Sequence, residues 1–151
     1  MKRRVSLMLV AALLVTVVAP MWSVTAAGFK DVPSDYWAAT EIAWLADNKV
    51  ASGYTDGTFR PEGKVSREEF AKMIVLAKKL SLVKPAKATF NDVPPARWSY
   101  GYIEAAVKAG YVKGVTADRF APQADIKRQD IALLLVRAAG KEKVAEAQPV
   151  K

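Results

Sequence analysis

The sequence contains no cysteine and no histidine. The first absence excludes disulfides, thiolate nucleophiles and sulfur-ligated metals, and the second removes the usual zinc ligand and the side chain that most often serves as general base. Long apolar runs are also scarce. One charge-free stretch, Val5 to Val18, follows the basic head Lys2-Arg3-Arg4 and precedes the small residues Val24-Thr25-Ala26-Ala27. That order predicts a secretory signal peptide over residues 1–27, because the run is shorter than the roughly 20 residues a spanning helix wants. No membrane span is expected after its cleavage, and a secreted location follows.

With residues 1–27 removed, three of the 23 basic residues and none of the 15 acidic ones leave, so the remaining chain carries 20 minus 15, or +5. The lysines are spread along the chain rather than gathered on one face, which argues against a nucleic-acid partner. An extracellular chain without disulfides must be held by apolar packing alone.

What is present is a duplication. At an offset of 61 residues, Phe29-Lys30-Asp31-Val32-Pro33 falls on Phe90-Asn91-Asp92-Val93-Pro94. The same offset brings Trp37 onto Trp98, Ile42 onto Ile103, Gly53 onto Gly114, Phe59 onto Phe120, Pro61 onto Pro122 and Arg67 onto Arg128. Self-similarity at a fixed period marks a repeat unit that buries its apolar face against a neighbour. The division expected is repeat one over 28–84, repeat two over 85–144 and a flexible tail over 145–151.

Each repeat reads as helix, loop, helix. In repeat one, Trp37, Ala38, Ile42, Leu45 and Ala46 predict a first helix from Ser34 or Asp35 to Lys49. The loop Gly53-Tyr54-Thr55-Asp56-Gly57-Thr58-Phe59-Arg60-Pro61 follows, with Gly53 and Gly57 supplying turns that a side chain opposes. A capping box, Ser66 with Glu69, opens the second helix, whose expected buried face is Phe70, Met73, Ile74, Ala77 and Leu80. Repeat two predicts helices from Trp98 to Ala109 and from Lys127 to Ala139, the latter burying Ile131, Leu134, Leu135 and Ala138, with Lys127 in place of the cap serine and Asp125 as the N-cap if the helix starts earlier. Phe59 and Phe120 are expected to plug their loops onto the helices, within loops framed by Pro61, Gly114 and Pro122.

The series F-x-D-V-P, W-A, I-x-x-L, G-Y-x-D-G-T-F-x-P and a polar-Arg-acid helix start resembles the S-layer homology domain. The resemblance covers both repeats and is more specific in the first. It implies an all-α fold of tandem helix-loop-helix repeats packed as a small helical bundle, without enzymatic activity or cofactor. It also implies anchoring of a bacterial surface protein to secondary cell-wall polysaccharide, often bearing a pyruvate ketal. Three such modules commonly pack around one axis, so two leave a third to be supplied by self-association or by a larger surface protein; a scaffold that has lost sugar affinity is the alternative.

Carried onto this chain, the box arginines are Arg67 and Arg128, and the loop contributes Asp56, Thr58 and Tyr54. A guanidinium suits a ketal carboxylate, and the first turn of a helix offers neighbouring free amides to the same anion; a structural ion pair is the other role open to Arg67. Asp56 accepts either from a sugar hydroxyl or from loop amides. Trp37 and Trp98 either stack on a sugar or, as residues at helical spacing, belong to the core. Repeat two departs at Val115, Ala117 and Asp118, which stand where repeat one has Tyr54, Asp56 and Gly57, and this puts the second site in doubt.

Overall fold

The computed structural model describes residues 28–141 together with 143 and 147; the expected signal peptide and most of the expected tail lie outside them. The fold is all-α, and among the described residues it is a small bundle of four short helices in two helix-loop-helix repeats: α1 (Ala39–Asp47), α2 (Arg67–Ala77), α3 (Tyr100–Lys108) and α4 (Arg128–Ala138). Among the described residues no helix is long and apolar enough to cross a membrane.

The packing unit is not the sequence repeat. Among the described residues the only helices in contact are α2, from repeat one, and α3, from repeat two. Ala71 and Val75 of α2 meet Tyr100, Ile103, Ala105 and Ala106 of α3, with Phe90, Val93 and Phe120 closing the same core. A smaller cluster of Phe29, Val32, Ala39 and Ile42 holds α1 to its own lead-in. The bundle therefore closes at its centre, and α1 and α4 flank it.

The capping box forms as the sequence predicts. Ser66 Oγ accepts from the Glu69 amide, and the Glu69 carboxylate accepts from the Ser66 amide at 2.8 Å, which satisfies two groups that a helix start otherwise leaves unpaired. The buried face of α2, however, is Glu68, Ala71 and Val75. Phe70 and Met73 are only half-buried and Ala77 is exposed. The apolar stripe misled because the position that begins the core face is a glutamate, whose charge is matched from the other repeat: Arg97 Nη2 and Nε donate to it at 2.7 and 2.8 Å, and Ser99 Oγ at 2.6 Å. Burial pushes the Glu68 carboxyl up, but the bonds from Arg97 and Ser99 outweigh it and leave the pKa lowered.

Other expectations are corrected in the same way. α1 begins at Ala39, so Trp37 precedes the helix and stands 85% exposed instead of in the core. Its predecessors from Pro33 onward form turns, with the Tyr36 amide bonded to the Pro33 carbonyl. α3 begins at Tyr100, and Trp98 is likewise exposed. The N-cap of α4 is Lys127, without a side-chain bond, because Asp125 is drawn away to Lys64 at 2.6 Å. In α4 Leu134 is buried as expected, whereas Leu135 is 59% exposed, having no neighbouring helix to cover it.

All four helices end alike. The residue after each C-cap is left-handed, at Lys49 (φ 57°), Lys79 (φ 53°), Gly110 (φ 77°) and Gly140 (φ 65°). The following amide bonds five residues back, as from Val50 to the Leu45 carbonyl and from Tyr111 to that of Ala106. This is the Schellman closure, which turns the chain sharply into the next loop.

Candidate functional site

Each loop is held by an aspartate far away in sequence. The two oxygens of Asp31 accept the amides of Phe59 and Arg60 at 2.8 and 2.7 Å. Asp92 does the same for Phe120 and Ala121, at 2.9 and 2.7 Å. These bonds explain the aspartate in F-x-D-V-P. They also support the left-handed backbone of Arg60 (φ 60°) and Ala121 (φ 56°), where a side chain is unfavourable. The two amide bonds, that of Phe59 foremost, hold the Asp31 carboxyl below its ordinary range. For Asp92, burial pushes up, and the amides of Phe120 and Ala121 overcome it.

Below this clip the phenylalanines stack, Phe59 on Phe29 at 5.2 Å and Phe120 on Phe90 at 5.4 Å between ring centres. The first glycine of the loop is required for that stacking. A Cβ on Gly53 would lie 2.4 Å from the Phe29 ring and 2.6 Å from the Thr58 carbonyl oxygen. Asp56 turns inward on its own loop: its Oδ1 accepts the Thr58 hydroxyl at 2.6 Å and the Thr58 amide at 3.0 Å, while Oδ2 pairs with Arg60 at 2.8 Å. Thr58 first and then Arg60 lower its pKa to about 2. Arg60 in turn lies 4.0 Å over the Tyr54 ring.

Arg67 leaves its own repeat. Its Nε donates to the Phe120 carbonyl at 2.9 Å, Nη2 to the Lys113 carbonyl at 2.7 Å and Nη1 to Asp130 at 3.2 Å, with the guanidinium 4.7 Å above the Phe120 ring. The expectation of free amides beside it is overturned. The amides of Arg67 and Glu68 are taken by the carbonyls of Ala124 and Pro122, at 2.9 and 3.0 Å. Repeat two thus caps the helix of repeat one with its own loop, leaving no open N-terminal anion cradle there.

Two grooves result. One, about 380 Å³, lies on repeat two, where Arg67 meets Gly114, Phe120, Asp130 and Leu133. The other, about 410 Å³, spans the repeats and is lined by Gly53, Tyr54, Phe59 and Pro61 of the first loop, Lys72 and Met73 of α2, and Trp98 of the second repeat. Lys72 Nζ lies 6.0 Å from the Trp98 ring centre, while Tyr54 and Trp98 are 39% and 54% exposed. The structure thus brings Tyr54 and Trp98 into the lining of one groove and puts Arg67 in the other. Asp56, Thr58, Gly57, Pro122, Trp37 and Arg128 line neither. Lys72 was not singled out in the sequence, since a lysine on a helix surface reads as a solvated charge.

Among the described residues no group of acidic side chains is placed to hold a metal ion.

Comparison with known proteins gives the arrangement its family. The S-layer homology domain model matches residues 28–71 and 89–132, together more than half of the chain. The chain is 35% identical over 114 residues to a cellulosome-anchoring protein of Acetivibrio thermocellus, covering 73% of this chain and 25% of that protein. It is 39% identical over 137 residues to an S-layer protein of Bacillus licheniformis, covering 89% of this chain and 15% of the relative. An S-layer protein of Bacillus anthracis named sap is 38% identical over 130 residues, 85% of this chain and 15% of its own length. The chain therefore spans a quarter or less of these relatives. With two matched copies interlocked through α2 and α3, the chain belongs to the S-layer homology domain family, a family of non-catalytic modules for attachment at the cell envelope.

Proposed function

We propose that this protein holds itself, or what it is joined to, at the bacterial cell wall by binding an anionic secondary cell-wall polysaccharide in the groove between its repeats. The observation that carries this reading is that exposed Tyr54 and Trp98, one from each repeat, line the same groove, with Lys72 beside the indole. A sugar ring offers apolar C–H faces to an aromatic side chain, and a carboxylate substituent such as a pyruvate ketal would meet the ammonium group. Arg67 lines the second groove with three of its bonds already made within the protein, so its part in binding is chiefly to hold the repeat-two loop.

Retention on purified wall polymer tests the reading, before and after chemical removal of the acidic substituents, with Trp98→Ala, Lys72→Ala, Arg67→Ala and Arg128→Ala beside the parent protein. Loss of retention on removal of the acid groups, and with Trp98→Ala and Lys72→Ala, is expected. Full retention in all of these would contradict it. The envelope scaffold is the second reading, favoured by the uncovered apolar side of α4 and supported if self-association persists where polymer binding does not.

A further inference from the structure

The contact between α2 and the second repeat is a template for a contact that the described chain leaves unmade. At the 61-residue offset, α4 is the counterpart of α2, and α1 with its loop is the counterpart of α3 with its loop. Ala71 and Val75 are 0% and 1% exposed beneath α3, whereas their counterparts Ala132 and Val136 are exposed and half-buried. Phe120, covered by Arg67, is 1% exposed; Phe59, its counterpart, is half-buried, with no arginine over it among the described residues. The amides of Arg128 and Gln129 make no hydrogen bond among the described residues, although those of Arg67 and Glu68 are capped by the next loop.

We infer that α4 of one copy docks on α1 and the first loop of a second copy, head to tail, seating Arg128 over Phe59. The choice of occupant follows from the polar groups at the middle of the template. There Glu68 meets Arg97 and Ser99; the counterparts are Gln129 on α4, and Tyr36 and Ala38 ahead of α1. Both charges and the hydroxyl are lost together. An α4 facing an α3-like surface would leave an arginine unpaired, and an α1 facing an α2-like surface would bury an unmatched glutamate, each a heavy penalty. The neutral α4 face fits the neutral α1 face, and α1 and α4 of one chain do not touch. The contact rests on packing and is independent of sugar binding.

The absence of cysteine makes a direct test available. Glu68 Oε2 and Ser99 Oγ lie 2.6 Å apart in the template, so Gln129→Cys and Ala38→Cys mark the corresponding pair, to be joined by a short thiol-reactive bismaleimide that spans the length a cysteine lacks relative to glutamate. With the bismaleimide a mixture of the two single variants is expected to give a cross-linked pair, while each variant alone gives none, because the contact is heterologous. Sedimentation of the parent protein should show species of two or more chains. Ala132→Glu, on the exposed α4 surface, should lower the association constant by about a hundredfold while circular dichroism is unchanged. A parent protein that sediments as a monomer would overturn the inference. So would cross-linking of either cysteine variant with itself as readily as in the mixture, or association untouched by Ala132→Glu.

Discussion

Glu68 in the first turn of α2 and Arg97 ahead of α3 form a bidentate ion pair, at 2.7 and 2.8 Å, that ties the two repeats through the middle of the molecule. Glu68 is 6% exposed and the Arg97 side chain 22%. Removing one partner strands the other charge near the core. Glu68→Ala should therefore destabilise the protein by about 3 kcal/mol, read as a lower urea midpoint. Replacing the three residues Glu68, Arg97 and Ser99 together by Gln, Tyr and Ala, their counterparts in the other contact, should cost less than the sum of the single changes. Additive losses would mean that the three groups do not act as one.

Acid should unfold the protein, and neutral pH changes should not. Asp31, Asp56, Glu68 and Asp92 all have their pKa values lowered by the fold, Asp56 to about 2. Each contributes stability that is fully present above its unfolded value, near 3.8 for aspartate and 4.5 for glutamate, and is lost as pH falls through the folded one. With no histidine to titrate, the melting temperature should be level from about pH 5 to pH 8 and drop below about pH 4. A marked slope between pH 6 and 8 would show that some other group controls folding.

Lys49 and Lys79 occupy the left-handed position that Gly110 and Gly140 occupy in the second repeat. A side chain there is strained in a way glycine is not. Lys49→Gly and Lys79→Gly should each stabilise the protein by about 0.5–1 kcal/mol, measured by thermal or urea unfolding. Gly110→Ala should be destabilising by a similar amount through backbone strain alone, since a Cβ at that position meets nothing within 4 Å. Destabilisation by both lysine changes would point to contacts of those side chains that outweigh the strain.

Local chemistry made part of this fold legible in the sequence and non-local pairing hid the rest. The Ser66–Glu69 box and the punctuated loops depend on residues close in the chain, and the 61-residue offset exposed the duplication. Helical spacing left Trp37 open between the core and a sugar-stacking role, and the core reading fails because α1 starts two residues later, which puts the indole off the buried stripe. Glu68 was passed over because an acid on a core face makes sense only once Arg97, 29 residues away, is seen beside it. The same holds for the Asp31 and Asp92 clips, which span 28 and 29 residues. Their repetition in F-x-D-V-P was the signal, and a partner across the loop was the missing half. Lys72 acquires meaning only when the second repeat brings Trp98 over it.

The groove between Tyr54, Lys72 and Trp98 is the centre of the functional account, and calorimetric titration with soluble acidic wall polysaccharide tests it most directly. Trp98→Ala and Lys72→Ala should each weaken binding by about tenfold or more, equivalent to about 1.4 kcal/mol. Arg119→Ala, which removes a basic side chain that is 69% exposed and lines neither groove, should leave the affinity unchanged. Parent affinity in both groove variants, or an equal loss with Arg119→Ala, would contradict the account and reduce the attraction to overall charge.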